Sequence, residues 1–435
     1  MDHSNRIEST KLAVDPNGWR INCCSFQQDA IMTYNGFQYV VLYQPKDRTD
    51  PNGSRVTSIG RRSLEPKSPW NFLTFEDYIQ TKDDGHNIIS LGISGDGIIH
   101  MAWDMHGDEI HYRQSKVDAA NTPYEFEWTK DLFGPVLTEL EGEEKAFQFR
   151  ELTYPRFQTL ANGDMLLEFR CGRSGLGDCC IYRFCKDTHK WSEIGMYIKG
   201  VENNAYLHGF DYKNKTLHVT WTYRDYVDDR SEAAASHTTS QAGPNGPENN
   251  HDLHYMYSED EGVTWYSTSG KKLSTPVDVS QNTLAVDIPK FSGIMNQEGQ
   301  FVDAKNRVHV LGRQNGHYYH YFKRQDRVWE KRQIGDFSAV LFGARGKLLV
   351  KGDTVYGLLP LQDHKFVIVK SNIQDSGSQW TVAASFDKLD GEPLVDRYSE
   401  DIYILQREAP EENTGDGLAN GKNIRHVVLL DVPNL

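Results

Sequence analysis

The chain has 435 residues, 38% of them hydrophobic, and a formal net charge of −14. That acidity argues against a nucleic-acid or anionic-membrane partner, which would select a surplus of Lys and Arg, and the sequence holds no apolar run of roughly eighteen residues to cross a bilayer. With 22 Tyr, 19 Phe, 9 Trp and 36 Gly, and short alternating runs in place of an apolar i, i+3, i+4 pattern, the composition points to an all-β fold.

The chain opens with MDHSNRIESTKLAV, which has no apolar core for a secretory signal. The compartment stays open between a cytosolic protein and a mature or engineered form. A turn dipeptide, a strand of four to six residues and a polar or basic group then recur along the whole length. The instances are NGFQYVVLYQ from Asn35, DGIIHMAWDMH from Asp96, NGDMLLEFR from Asn162, NKTLHVTWTYR from Asn214, KNRVHVLGR from Lys305, GDTVYGLLPLQ from Gly352 and EDIYILQR from Glu400. That is seven, at intervals of 47 to 66 residues apart from one of 91. The long interval holds residues 226–252, polar and rich in Ala, Ser, Gly, Pro and Asn, which read as a long loop insertion, either a lid or plain disorder.

A second marker runs in its own phase. Ser258 to Trp265, SEDEGVTW, matches the S-x-D-x-G-x-T-W Asp box, a hairpin turn whose Asp and Gly shape the bend while the Trp packs between sheets. Degenerate versions end at Trp70, Trp128, Trp191, Trp329 and Trp380. Four-stranded sheets repeated at this interval are the signature of a propeller. The expectation is one seven-bladed β-propeller over 1–435, its last unit (424–432) closed by a strand at Thr10 to Val14. The six cysteines (23, 24, 171, 179, 180, 185) form no disulfide framework. The 171–185 group fits no standard zinc spacing, so buried small hydrophobes are the simpler reading.

Within Asp84–Ser115, a strand entered through His86, a Gly95-Asp96-Gly97 turn and a return strand carrying His106 bring both histidines to one edge. Aligning the repeats puts Gln44, His106, Arg170, Arg224, Arg313, Gln362 and Arg407 at the ends of the second strands. His86, Tyr154 and the Tyr206/His208 pair stand at the starts of the first strands. The gaps are 20 residues for His86 to His106, 16 for Tyr154 to Arg170 and 16 for His208 to Arg224. Each residue has a plainer reading: a strand histidine usually packs, Tyr154 before Pro155 anchors a strand start, and Arg170 pairs with Glu168 or Glu151. His100, His218 and His309, sharing one strand position, read as structural, as do His111 and Arg113. Convergence of ionisable groups on one rim favours chemistry. The set suits a carboxylate-bearing sugar: Arg or His⁺ neutralises the carboxylate, a His or Tyr removes H5, and a Tyr or His protonates the leaving oxygen. A hydrolase needs two opposed carboxyl groups, and Asp104, Asp225 and Asp252 do not fit the rim phase. A glycoside hydrolase and a non-catalytic carbohydrate-binding propeller remain the alternatives.

DGHN (84–87), TYPRF (153–157), LLEFRCGRSGLG (166–177), LHVTWTYRD (217–225) and NHDLHYMYSEDEGVTW (250–265) together resemble the Asp-box-repeat polysaccharide lyases, which include ulvan lyases and rhamnosyl-α-1,4-glucuronate lyases. The resemblance runs in order over about residues 20 to 325. It implies a seven-bladed propeller that cleaves a bond to glucuronate by β-elimination, leaving a 4,5-unsaturated uronide. It further implies a catalytic group of His86, His106, Tyr154 and Arg170. Arg224 and His251 are implied as substrate contacts, the rim reading adds His208, Tyr206 and Arg313, and Arg156 of TYPRF is a further candidate contact. His106 or Tyr154 serves as base and acid, and His86 assists neutralisation or protonates the leaving group. The expected partner is a uronate-containing polysaccharide or oligosaccharide, with the protein a monomer. No cofactor is expected in the chemistry; some members hold a structural calcium or zinc ion, and the Asn296/Asp303 oxygens are the candidates here for a hard cation such as calcium.

Overall fold

A computed structural model describes residues 7–16, 20–47, 49–50, 53–144, 146–172, 177–200, 203–225, 246–339, 343–375, 379–409 and 424–433. Seven antiparallel sheets account for nearly all the strands. Blade 1 uses Ile31–Tyr34, Phe37–Pro45, Arg55–Ser63 and Asn71–Gln80; blade 2 uses Ile89–Ile93, Ile99–Trp103 and His111–Gln114. Blade 3 uses Leu152–Thr159, Met165–Cys171, Asp178–Cys185 and Lys190–Ile198, and blade 4 uses Asn203–Lys213, Thr216–Asp225, Asn250–Ser258 and Tyr266–Ser267. Blade 5 runs Gly299–Val302 to Trp329–Ser338, and blade 6 runs Lys347–Lys351 to Thr381–Phe386. Blade 7 is Leu394–Val395, Ile402–Arg407 and Ile424–Val432, with Glu8–Pro16 as its outermost strand. All seven sequence repeats fall on the second strand of a blade. The ring closes where the sequence suggested, through Glu8–Pro16 antiparallel to Ile424–Val432.

The second strands repeat visibly because they are buried on both faces: Val40 to Tyr43, Ile99 to Trp103 and Leu166 to Phe169 are all buried. A two-sided core strand reads as a continuous apolar run rather than an alternation. Inner strands of neighbouring blades approach too closely for side chains at two glycines. A Cβ on Gly92 would lie 2.5 Å from the Phe157 Cβ, and one on Gly209 would lie 2.5 Å from the Gln300 Cβ. At the Asp box, Asp260 accepts from the Ser258 hydroxyl (2.8 Å) and Thr264 N (2.7 Å), while Trp265 Nε1 donates to Gly262 O (3.0 Å). Trp265 is fully buried and stacks on Tyr197 of blade 3 at 5.0 Å, so the turn clips one blade to the next.

His100, His218 and His309 are core groups, bonding to Tyr112, Tyr255 and His320 respectively. Arg113 pairs with Asp77 at 2.5 Å. All six cysteines are free, and four of them are buried. Of the 226–252 insertion, 226–245 lie outside the described residues. Its end is not loop: Pro247–Asn249 make a 3-10 turn and the third strand of blade 4 begins at Asn250.

Candidate active site

The site is assembled where blades 2, 3 and 4 share a rim. Ahead of the inner strand of blade 2, the chain turns so that His86 N donates to Asp84 Oδ1 (2.9 Å) and Asn87 N to Asp84 O (2.9 Å). That turn sets the Asp84 carboxylate between two imidazoles: Oδ1 is 2.6 Å from His86 Nδ1 and Oδ2 is 2.6 Å from His106 Nδ1. Burial pushes the Asp84 carboxyl up, but the hydrogen bonds from His106 and His86 outweigh it and hold the group well below the usual carboxylate range. An ionised Asp84 can only accept, so each Nδ1 carries a proton, and in a neutral ring the lone pair is then on Nε2. The two rings stack at 3.8 Å and 12°, and Phe26 stacks on His86 in turn at 4.7 Å and 13°. Burial lowers His86 to about 4, leaving a neutral imidazole at neutral pH.

His106 reaches this position by leaving its own blade. The strand Ile99–Trp103 ends at Asp104, whose φ of 58° bends the chain, and His106–Asp108 then pairs with the inner strand of blade 3. His106 stands opposite Thr153, which itself stands opposite Arg170. The Thr153 hydroxyl accepts from Gly107 N (2.9 Å) and from Arg170 Nη2 (3.0 Å), tying both catalytic candidates to one side chain.

Tyr154 follows at a bulge, where the register slips between Thr153 and Arg156. Its φ of 61° is exceptional for a bulky residue, and such strain persists only where the surroundings impose it. The bulge re-aims the side chain. Ser90 Oγ pins the bulge by donating to Pro155 O at 2.6 Å. The phenol ring lies 5.6 Å from His86 and 5.2 Å from Phe26, with the Arg170 guanidinium 5.0 Å over it. Burial drives the Tyr154 phenol up to about 12 against the opposing pull of Arg170. Arg170 is 3% exposed, its Nε is buried without a partner, and no carboxylate among the described residues is in ion-pair contact with it. Glu168, one of the two acids that offered a structural reading of Arg170, instead holds Arg156 at 2.8 Å.

Blade 4 extends the surface. Tyr206 meets Tyr154 edge-on at 6.3 Å, and the Arg224 guanidinium lies 4.3 Å over Tyr206 while donating to its hydroxyl at 3.3 Å. Arg224 Nε and Nη2 donate to Asn250 (2.7 Å) and Asn296 (3.0 Å). A cavity of about 370 Å³ opens beside His86, lined among others by Phe26, Asp84, Arg345, Glu392 and Arg407.

Four expected substrate contacts are engaged elsewhere. Arg156 is buried against Glu168, and Arg313 against Glu298 at 3.0 Å. His208 lines a separate cavity of about 40 Å³ along with Ser25, Arg156 and Lys347; its Nδ1 accepts from Glu298 N, and burial lowers it to about 3. His251 has both nitrogens 2.9 Å from carboxylates, Asp252 and Asp225. Burial opposes its charge, but those two acids hold its pKa above the ordinary value. The Asn296/Asp303 cation site is not assembled either. Asn296 Oδ1 accepts from Arg224 and Arg345, whereas Asp303 accepts from Arg307 and His309, so each oxygen faces donors rather than a shared vacancy. The ligand atoms of Asp84, His86 and His106 do lie within 4.8 Å of one another. Each Nδ1, however, already sits on its own oxygen of Asp84. Sequence reasoning missed Asp84, Phe26, Asn250 and Arg345; Asp84 and Asn250 had a signal, as the first residues of DGHN and of NHDLHYMYSEDEGVTW.

Fold and site together define a class, the seven-bladed propeller with a His–Tyr–Arg constellation on its rim. The model of the BNR repeat-containing family matches residues 37–337, and the chain belongs to that family. The long-isoform ulvan lyase of Pseudoalteromonas sp. (strain PLSV) is 28% identical over 211 residues, 42% of this chain and 21% of that protein. The chain thus spans about a fifth of the length of that relative. Among solved structures, the polysaccharide lyase Uly1 superposes with a TM-score of 0.69 at 17% identity, covering 94% of this chain and 90% of its own. A PL25 ulvan lyase bound to -[GlcA(1-4)Rha3S]- gives 0.68 at 15%, covering 98% and 96%. At such identities these two likenesses speak for the fold.

Proposed function

We propose that the chain is a polysaccharide lyase that cleaves a glycosidic bond to glucuronate by β-elimination. The observation that carries this reading is the Asp84-braced imidazole pair set beside a protonated phenol and a buried arginine with no carboxylate partner among the described residues. Arg170 supplies the charge for a uronate carboxylate and for the enolate-like density formed as H5 leaves. An imidazole Nε2 of the His86/His106 pair takes H5, the C–H electron pair becomes the C4=C5 bond, and the C4–O4 bond breaks. Tyr154, held as the neutral phenol, donates its proton to O4 and regains one from the imidazolium or from water. Between the two roles left open for Tyr154, burial favours acid over base.

The linkage proposed first is rhamnosyl-α-1,4-glucuronate, as in ulvan-like or gum-arabic-like polymers; the named relatives support an ulvan-like substrate. Incubation with ulvan and with gum arabic should produce the absorbance of an unsaturated uronide and unsaturated fragments lighter by one water than the corresponding hydrolysis products. Release of saturated sugars alone would replace this reading with glycoside hydrolysis. Asp225 and Asp252 weigh against hydrolysis, since both carboxylates are committed to His251.

A further inference from the structure

An exposed aromatic beside blade 4 has no role in the site just described. Phe291 is 77% exposed, and its φ is 63°, a left-handed conformation that bulky side chains rarely adopt. A single exposed Phe means little by itself. Here the strained backbone is fixed on both sides: Phe291 N donates to Glu248 O (2.9 Å) and Asn315 N to Ser292 O (2.6 Å). Its neighbour Lys290 pairs with Asp225, the residue after Arg224 and the partner of His251.

The segment is also indexed to the site. Glu248, which holds Phe291, stands two residues before Asn250, the acceptor of Arg224 Nε, a span of at most about 7 Å. Asn250 Nδ2 donates to Ile294 O (3.0 Å), and Asn296 accepts from Arg224 Nη2, so the same loop touches the Arg224 cluster twice more. From Phe291 to Asn296 is at most about 18 Å of chain, the reach of three or four sugar rings.

We propose that Phe291 is a stacking platform for a pyranose ring of the polymer lying a few residues from the cleaved bond, so that it selects long chains over short ones. The apolar C–H face of a sugar suits a rigid exposed ring, and the neighbouring part-exposed Lys290 supplies a polar group for its hydroxyls. This rests on the proposed lyase reading, and deepens it.

The test compares wild type, Phe291→Ala and Phe291→Trp, the position being exposed enough that neither should disturb the fold. Ulvan retention is measured by affinity electrophoresis, and kinetics are measured on ulvan and on its shortest cleaved oligosaccharide. Phe291→Ala is expected to weaken retention and raise KM for the polymer about tenfold, leaving kcat and the short-substrate kinetics unchanged, with Phe291→Trp restoring both. Unchanged retention and KM in Phe291→Ala would overturn the platform while leaving the lyase reading intact. Retention that depends on Phe291 without any unsaturated product would instead sink the lyase and keep the sugar site. Wild type that neither binds nor cleaves ulvan would remove both.

Discussion

At the scale of single residues, Asp84 decides what the imidazole pair can do. By accepting from both Nδ1 atoms it sets both tautomers and turns both Nε2 lone pairs outward. Asp84→Asn keeps the shape but offers an amide N–H to one ring, so that ring must present the opposite tautomer. The expected result is a loss of about 10–100-fold in kcat with KM little changed, read by product absorbance. Tyr154→Phe removes only the hydroxyl; kcat should fall about 10²–10⁴-fold with the melting temperature close to wild type. Since burial holds His86 near 4 and Tyr154 near 12, kcat/KM should fall at acid pH as the imidazole protonates and at alkaline pH as the phenol ionises. An activity profile that ignored Tyr154→Phe at high pH would take that tyrosine out of the reaction.

At the scale of elements, two devices place these residues: the departure of His106–Asp108 from blade 2 to blade 3, and the Thr153–Arg156 bulge. Both depend on close approach of the inner strands. Gly92→Ala would press its methyl into Phe157, next to the bulge, and should cost about 1–3 kcal/mol in denaturant unfolding. A neutral effect there would mean the blades can slide apart more easily than the contact implies. These elements also mark how far the sequence could be read. The second strands were legible because two-sided burial gives each a largely apolar run, and Tyr154, Arg170 and His106 followed from their phase. Phase does not say which side of a strand faces a buried acid, so Arg313 looked like a rim residue although Glu298 holds it. Phe26, Asn250 and Arg345 come from turns, a strand start and a loop, where no periodicity exists to align. The cation site failed for a related reason: oxygens close in sequence, at 296 and 303, face donors from different blades.

At the scale of the molecule, the propeller carries an unusual load of neutral buried histidines. Burial lowers His86 to about 4 and His100, His208, His218 and His254 to about 3. A histidine whose folded pKa lies below its unfolded value gives stability that is complete above the unfolded value, near 6.5, and is lost as pH falls through the folded one. Asp104, raised by burial to about 7, acts in the opposite sense, as do Asp15, Glu168 and Asp211, which burial also raises, whereas Asp84 and Asp303, held below the usual carboxylate range, act with the histidines. The melting temperature should therefore decline steadily from pH 7 to pH 4; a flat profile would mean that those rings are not held neutral.

The seam in blade 7 has a temporal consequence. Most strand pairs join neighbours in sequence, whereas Thr10 and Leu429 meet across more than 400 positions. Closing so long a loop costs about 4 kcal/mol more chain entropy than closing a hairpin. Six blades can therefore zip up from local contacts while the seventh waits for the last strand of the chain, and the earliest residues remain unpaired until the latest arrive. Refolding should show one late phase that reports on this seam alone, and a circular permutant with its ends moved between two other blades should shift that phase to the new seam.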